Sequence, residues 1–274
     1  MVRTFSEESR YVILRKQINR DIWKDPKHIQ EYERTFNDRF SEDTVKSCIT
    51  SSLDEIIAHA RESDFIYVSD FHTSKRTKET LLTLLKQAQR DDTHPVIALE
   101  CISSARQKEL DAYLAGKIQE DEFYTLLEKK DRWHFDLHSY ASLFAYAKDQ
   151  EIPIIGIDHR GSKGNMLEKR ELHAARLISK HKLQNPDTQY FVMYGEFHLL
   201  PNHLPDKVDM MIKHKNTAER TIIYQNVDAF YFNLKKYCST LPRELMLSAE
   251  EFCILNTPPL RKWKELQHFY SKSD

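Results

Sequence analysis

The chain is poor in the residues that build the commonest cofactor and nucleophile sites. Only five of its 274 residues are glycine. No Gly-x-Gly-x-x-Gly occurs, which argues against a Rossmann dinucleotide site. No Gly-x-Ser-x-Gly elbow occurs either, which argues against a standard α/β-hydrolase. Gly161-Ser162-Lys163-Gly164 lacks the spacing of a phosphate loop and reads as a turn. The four cysteines, Cys48, Cys101, Cys238 and Cys253, are scattered with no Cys-x-x-Cys. A thiolate zinc site is therefore disfavoured, and free thiols in a reducing compartment are expected. Net charge is −1, with 41 basic against 42 acidic residues, so nothing electrostatic points to a nucleic-acid partner. No apolar run approaches transmembrane length, so no membrane partner is expected. Residues 1–17 hold no sustained apolar stretch of the signal-peptide kind, and a cytoplasmic protein is the expectation.

Hydrophobic residues make up 40% and charged residues 30%, the balance of a globular protein with a sizeable core. Residues 1–63 read as a polar, helical segment, with Val45, Ile49, Leu53, Ile56 and Ala60 at helical spacing. We expect it to pack on a main α/β domain spanning 64–274. In that domain apolar runs alternate with helical patterns. Strands are expected near 65–70, 95–100, 152–157, 190–196 and 221–225, with edge strands at Tyr231-Phe232 and Phe252–Leu255. A helix is expected from Thr77 to Arg90. A helical insertion follows the second strand, with Ser104 and Gln107 as a capping box and Gly116 as a stop. Strands separated by helices imply a mostly parallel central sheet flanked by helices.

One short phrase occurs twice, Ser69-Asp70-Phe71-His72 and Gly195-Glu196-Phe197-His198, each time after an apolar run. Residues two apart on an extended chain share a face. A third run ends in Glu100 and a fourth in Asp158-His159. Parallel sheets bind ligands at the C-terminal ends of their strands, so four strands ending in acids and imidazoles point to one site. Histidine with carboxylate is the usual ligand set for zinc, manganese or iron. His72, Glu100 and His198 are the candidate metal ligands. Asp70 and Glu196 are candidate catalytic groups, as general base or as acceptors orienting the imidazoles. Asp158, His159 and Arg132 are candidates for the same cleft.

In order and spacing these motifs resemble the ChaN-like branch of the haem-binding-uptake/Tiki superfamily, related more distantly to erythromycin esterases and TraB-type proteins. The family's Gly-Glu-x-His corresponds to Ser69-Asp70-Phe71-His72, its Ala-Leu-Glu to Ala98-Leu99-Glu100, and its Leu-x-x-Tyr-Leu-x-Gly-x-Ile to Leu110 through Ile118. Its Arg-Trp corresponds to Arg132-Trp133, its Ile-Pro strand to Ile152-Pro153, and its Gly-x-x-His to Gly195 through His198. Ser69 and Asp70 stand where the family has Gly and Glu. The resemblance covers residues 64–227 and implies an α/β sheet with its site at the C-terminal edge. It implies a divalent metal or hydrolytic chemistry at His72, Glu100 and His198. On this reading the chain is a metal-dependent hydrolase of an ester, amide or peptide, acting on a small-molecule or peptide substrate. The alternatives are a haem- or iron-binding protein, with Tyr67, Tyr194 or a surface histidine as axial ligand, and a non-catalytic scaffold.

Overall fold

In a computed structural model, residues 6–20, 27–131, 135–159, 166–212 and 219–271 are described. Arg132, Trp133 and the Gly161–Gly164 turn lie outside them. Along the chain come α1 (Glu7–Ile18), α2 (Lys27–Arg39), α3 (Glu42–Ser47), β1 (Ile49–Thr50), α4 (Leu53–Glu62), β2 (Phe65–Asp70), α5 (Lys75–Gln87) and β3 (His94–Ser103). Then follow α6 (Gln107–Leu114), α7 (Glu120–Asp131), α8 (Ala141–Asp149), β4 (Ile154–Asp158), α9 (Met166–Gln184), β5 (Thr188–Gly195) and α10 (Leu204–Ile212). The chain closes with β6 (Arg220–Gln225), α11 (Asp228–Lys235), β7 (Glu244–Met246), β8 (Glu251–Ile254) and α12 (Pro259–Ser271). No helix among the described residues is long and apolar enough to cross a membrane.

The chain divides into two compact units, residues 53–223 and residues 1–52 with 224–274. The first carries parallel strands in the order β6-β2-β5-β3-β4. Every residue of β2 is buried, as are those of β5 up to Gly195. Unbroken apolar runs such as Phe65–Val68 and Tyr190–Tyr194 suit strands covered on both faces. The expected α/β architecture, including the helical insertion α6–α8 between β3 and β4, is present. Register brings Asp70 opposite Gly195 and Leu99 opposite Met193, so Asp70, Gly195 and Glu100 stand at nearly one level.

β3 and β4 lose that regularity. Leu99 pairs with Gly156, but the next pair is Ser103 with Asp158. The extra residues of β3 bulge over Gly156. A Cβ there would lie 2.9 Å from both the Ile102 Cγ2 and its carbonyl oxygen, and 3.0 Å from the Ser103 oxygen. Gln107 does not complete a capping box. Its amide donates to the Ile154 carbonyl and accepts from the Gly156 N–H, both at 2.8 Å, while Ser103 caps the turn before α6. Gly116 stops that helical stretch with φ +69°, a conformation glycine adopts without penalty.

In the second unit β7 pairs antiparallel with β1 and β8. Ile49-Thr50 is therefore a short strand within a segment expected to be helical throughout. Tyr231-Phe232 lies in α11 rather than in an edge strand; Phe230 and Leu234, one turn apart, supply its buried face. The expected strand at Phe252 forms as β8. Asp228 joins the two ends of the chain. Its Oδ2 accepts from Tyr11 at 3.0 Å and from the Trp263 indole at 2.5 Å, and its Oδ1 lies 2.7 Å from the Lys262 ammonium.

Candidate functional site

Asp70 ends β2 in a buried nest of donors. Its Oδ1 accepts from Lys78 at 2.6 Å and Thr77 at 2.8 Å, both on α5. Its Oδ2 lies 2.9 Å from His72 Nδ1 and also accepts from the Tyr140 hydroxyl. Burial pushes the Asp70 carboxyl up, but the Lys78 ammonium and His72 outweigh it and hold the group well below the usual carboxylate range. Burial raises the Tyr140 hydroxyl far above its ordinary value, and Asp70 raises it further, so it stays a neutral donor. An ionised carboxylate can only accept. His72 Nδ1 therefore carries a hydrogen directed at Asp70.

His72 Nε2 lies 4.0 Å from Glu100 Oε2 on β3. Glu100 is itself engaged on both oxygens. Oε2 accepts from the Gly195 N–H at 2.6 Å, and Oε1 accepts from Arg170 on α9. Burial again raises this carboxyl, and Arg170, the two histidines and the Gly195 N–H together hold it low. Arg170 also donates to Asp158 Oδ1 at 2.6 Å, linking the ends of β3 and β4. Burial lowers the guanidinium's pKa and its carboxylate neighbours more than restore it, so the charge is retained.

His198 reaches the cluster differently. The chain leaves β5 at Gly195 and enters a 3₁₀ turn, Glu196–Leu199, so the alternation that places residues two apart on one face does not apply to Glu196 and His198. The carboxylate on His198 Nδ1 is Glu171, at 2.7 Å. Glu196 is half-buried at the start of the turn. Gly195 shows how closely the groups converge. A Cβ at this position would lie 3.3 Å from Glu100 Oε2, 3.4 Å from His198 Cδ2 and 3.7 Å from His72 Cε1. Of the four side chains His72 is the most open, with 20% of its surface exposed against 7% for His198, 4% for Glu100 and 2% for Asp70. The ring of Phe135 stands 4.6 Å from that of His72.

The structure thus brings Asp70, His72, Glu100 and His198 together, with Asp158 one step away through Arg170. His159 is exposed and pairs elsewhere: its ring lies 4.9 Å from that of His173, whose Nε2 is 2.8 Å from Ser104 Oγ. Lys78, Tyr140, Arg170 and Glu171 were not anticipated. A signal for two of them exists. Lys78 shares a helical stripe with Leu81 and Leu85, and Glu171 one with Ala174, Ala175 and Ile178; a charge on an apolar stripe is buried and needs partners.

The donor set is a poor match for a divalent ion. His72, Glu100 and His198 surround Gly195, but Glu100 already neutralises a guanidinium and accepts an amide N–H. Among the described residues no group of three His, Cys, Asp or Glu side chains is placed to hold a metal. Tyr67 and Tyr194 are fully buried and cannot reach a haem iron at the surface.

Residues 56–189 match the family model described as haem-binding uptake, Tiki superfamily, ChaN. No curated protein matches the chain. Among solved structures, the type III effector HopBA1 superposes with a TM-score of 0.51 at 14% identity, over 75% of this chain and 93% of that one. ChaN of Campylobacter jejuni, solved with cofacially bound haem, gives 0.45 at 14% identity over 69% and 92%. RRSP, a MARTX toxin effector domain from Vibrio vulnificus, gives 0.43 at 20% identity over 74% of this chain and 43% of that one. The stretch that matches this family model, residues 56–189, holds Asp70, His72, Glu100, Asp158 and Glu171.

Proposed function

We propose that this chain is a hydrolase of an ester, amide or peptide bond whose chemistry is proton transfer by His72 and His198. One observation carries the reading: a buried, ionised Asp70 fixes the Nδ1–H of the most open imidazole in the cluster. Carboxylate-oriented histidine is a general base in waiting, its Nε2 lone pair able to take a proton from an attacking water. The His72 imidazolium so formed returns that proton to the leaving group, and His198, oriented by its own carboxylate, accepts the proton that the acid product gives up. Glu100, locked by Arg170 and the Gly195 N–H, keeps negative charge beside both rings and favours an imidazolium as it forms. A divalent ion is not part of this scheme, because it would have to compete with Arg170 for Glu100.

The test is turnover of a panel of p-nitrophenyl esters and fluorogenic casein by the full chain, with metal content measured in parallel. His72→Ala and Asp70→Asn should each lower the rate by about 10²-fold or more, and chelation should leave the rate unchanged. Absence of turnover across the panel, or turnover that survives His72→Ala, overturns the reading.

The family match supports a second reading, haem binding. His159, exposed at the end of β4, is the axial ligand it would use. A Soret shift on haem titration that disappears in His159→Ala would establish it, and no shift would remove it.

A further inference from the structure

α9 presents consecutive residues to the ends of different strands. Arg170 reaches Glu100 and Asp158, while Glu171 turns to the segment that follows β5. Glu171 is completely buried and collects three donors. Its Oε1 lies 2.7 Å from His198 Nδ1 and 2.8 Å from His203 Nδ1, and its Oε2 accepts from the Lys207 ammonium on α10. Burial pushes the Glu171 carboxyl up, but the hydrogen bonds from His198 and His203 and the charges around them hold it well below the usual range.

An acceptor-only carboxylate dictates the state of both rings, since each nitrogen that faces it must carry a hydrogen. His198 is thereby set to the Nδ1–H form. Its ring plane is fixed from another side by Tyr194, whose ring meets it edge-on at 4.9 Å and 82°. The same relation holds between Asp70 and His72 across the cluster. The site therefore contains two carboxylate–imidazole pairs, one built within a strand end and one assembled from α9 and the turn after β5.

We propose that Glu171 is the positioning residue of this site: it sets the tautomer and orientation of His198, as Asp70 does for His72, and His203 and Lys207 hold it in place. The proposal rests on the hydrolytic reading for its meaning, but not for its test. Buried Glu171 is too deep to meet a substrate, so its effect runs through His198. His203 and Lys207 occupy two more of the carboxylate's acceptor sites, which keeps it ionised when the His198 ring gains or gives up a proton.

The experiment is long-range proton–nitrogen NMR on the full chain with ¹⁵N-labelled histidine, with signals assigned by single-histidine variants. In the native protein His198 should appear as the Nδ1–H tautomer when neutral. Glu171→Gln, which keeps a carbonyl acceptor, should retain that tautomer. Glu171→Ala should shift His198 toward Nε2–H and lower ester turnover, but no further than His198→Ala does. A native His198 in the Nε2–H form overturns the proposal without any variant, and so does an unchanged tautomer in a folded Glu171→Ala. A tautomer change in a protein with no hydrolytic activity supports the role of Glu171 and overturns the hydrolase reading, so the two failures are distinguishable.

Discussion

Replacing Lys78 by methionine tests how the site is held. The ammonium sits 2.6 Å from Asp70 Oδ1 with both side chains almost fully buried. It also donates to the backbone carbonyl of His72 at 2.9 Å and lies 4.4 Å from the centre of the Tyr140 ring. Two unit charges at this separation attract by about 6 kcal/mol at an effective dielectric near 20. Part of that gain is offset by the cost of burying the ammonium, a cost that Lys78→Met removes. The remaining penalty is that of a buried carboxylate left without its counter-ion, about 3–5 kcal/mol. Asp70 keeps Thr77, Tyr140 and His72 as donors, which sets the expectation toward the lower end. For a unit of this size, 3–5 kcal/mol corresponds to a fall in Tm of roughly 6–20 °C. The assay is thermal and urea denaturation of Lys78→Met, Asp70→Asn and the double variant. Because the double variant leaves no buried charge at positions 70 and 78, it should be more stable than Lys78→Met alone, and the cycle should give a coupling above about 1 kcal/mol. A Lys78→Met cost below about 1 kcal/mol, or a double variant as unstable as the sum of the singles, would refute the argument that charge pairing anchors Asp70.

Two further expectations follow from the same geometry. Gly156→Ala drives a methyl to within 2.9 Å of the Ile102 backbone oxygen and 3.0 Å of the Ser103 oxygen; backbone cannot yield there, so a cost of about 1–3 kcal/mol is expected in urea denaturation, and a neutral substitution would mean that β3 is not pinned over β4. Stability should also fall on acidification. Burial lowers the pKa of His173 and His181, so the loss begins as pH drops through about 6.5. It deepens below about pH 4.3, because Asp70, Glu100 and Glu171 bind protons more weakly folded than unfolded. A urea midpoint that stays constant from pH 7 to 3 would contradict those shifts.

Much of the framework was legible along the chain. The runs at Phe65, Val96, Tyr190 and Thr221 are too apolar and too β-branched or aromatic to be anything but buried strands, and each became one. Boundaries slipped where backbone chemistry intervened. β4 starts at Ile154, after Pro153, which has no N–H to give a ladder, and β3 runs on to Ser103 through a bulge that depends on one glycine in its neighbour. Tyr231-Phe232 has strand-forming residues, yet it sits in a helix because its buried neighbours fall at helical rather than alternating positions.

By itself the sequence determined which groups stand at the strand ends: Asp70, His72, Glu100, Asp158 and His198 each follow an apolar run that must terminate at one edge of a parallel sheet. It could not determine which strands are neighbours, because pairing β2 with β5 and β5 with β3 joins residues far apart in the chain, such as Phe65 with Tyr190 and His94 with Thr188. Nor could it separate Lys78, Arg170 and Glu171 from the many solvated charges on the same helices. Burial makes that distinction, and burial belongs to the packed whole: once a helix lies on the sheet, a charge on its inner face must find an opposite charge or a hydrogen-bond partner. In this protein the partners it finds are Asp70, Glu100 and His198.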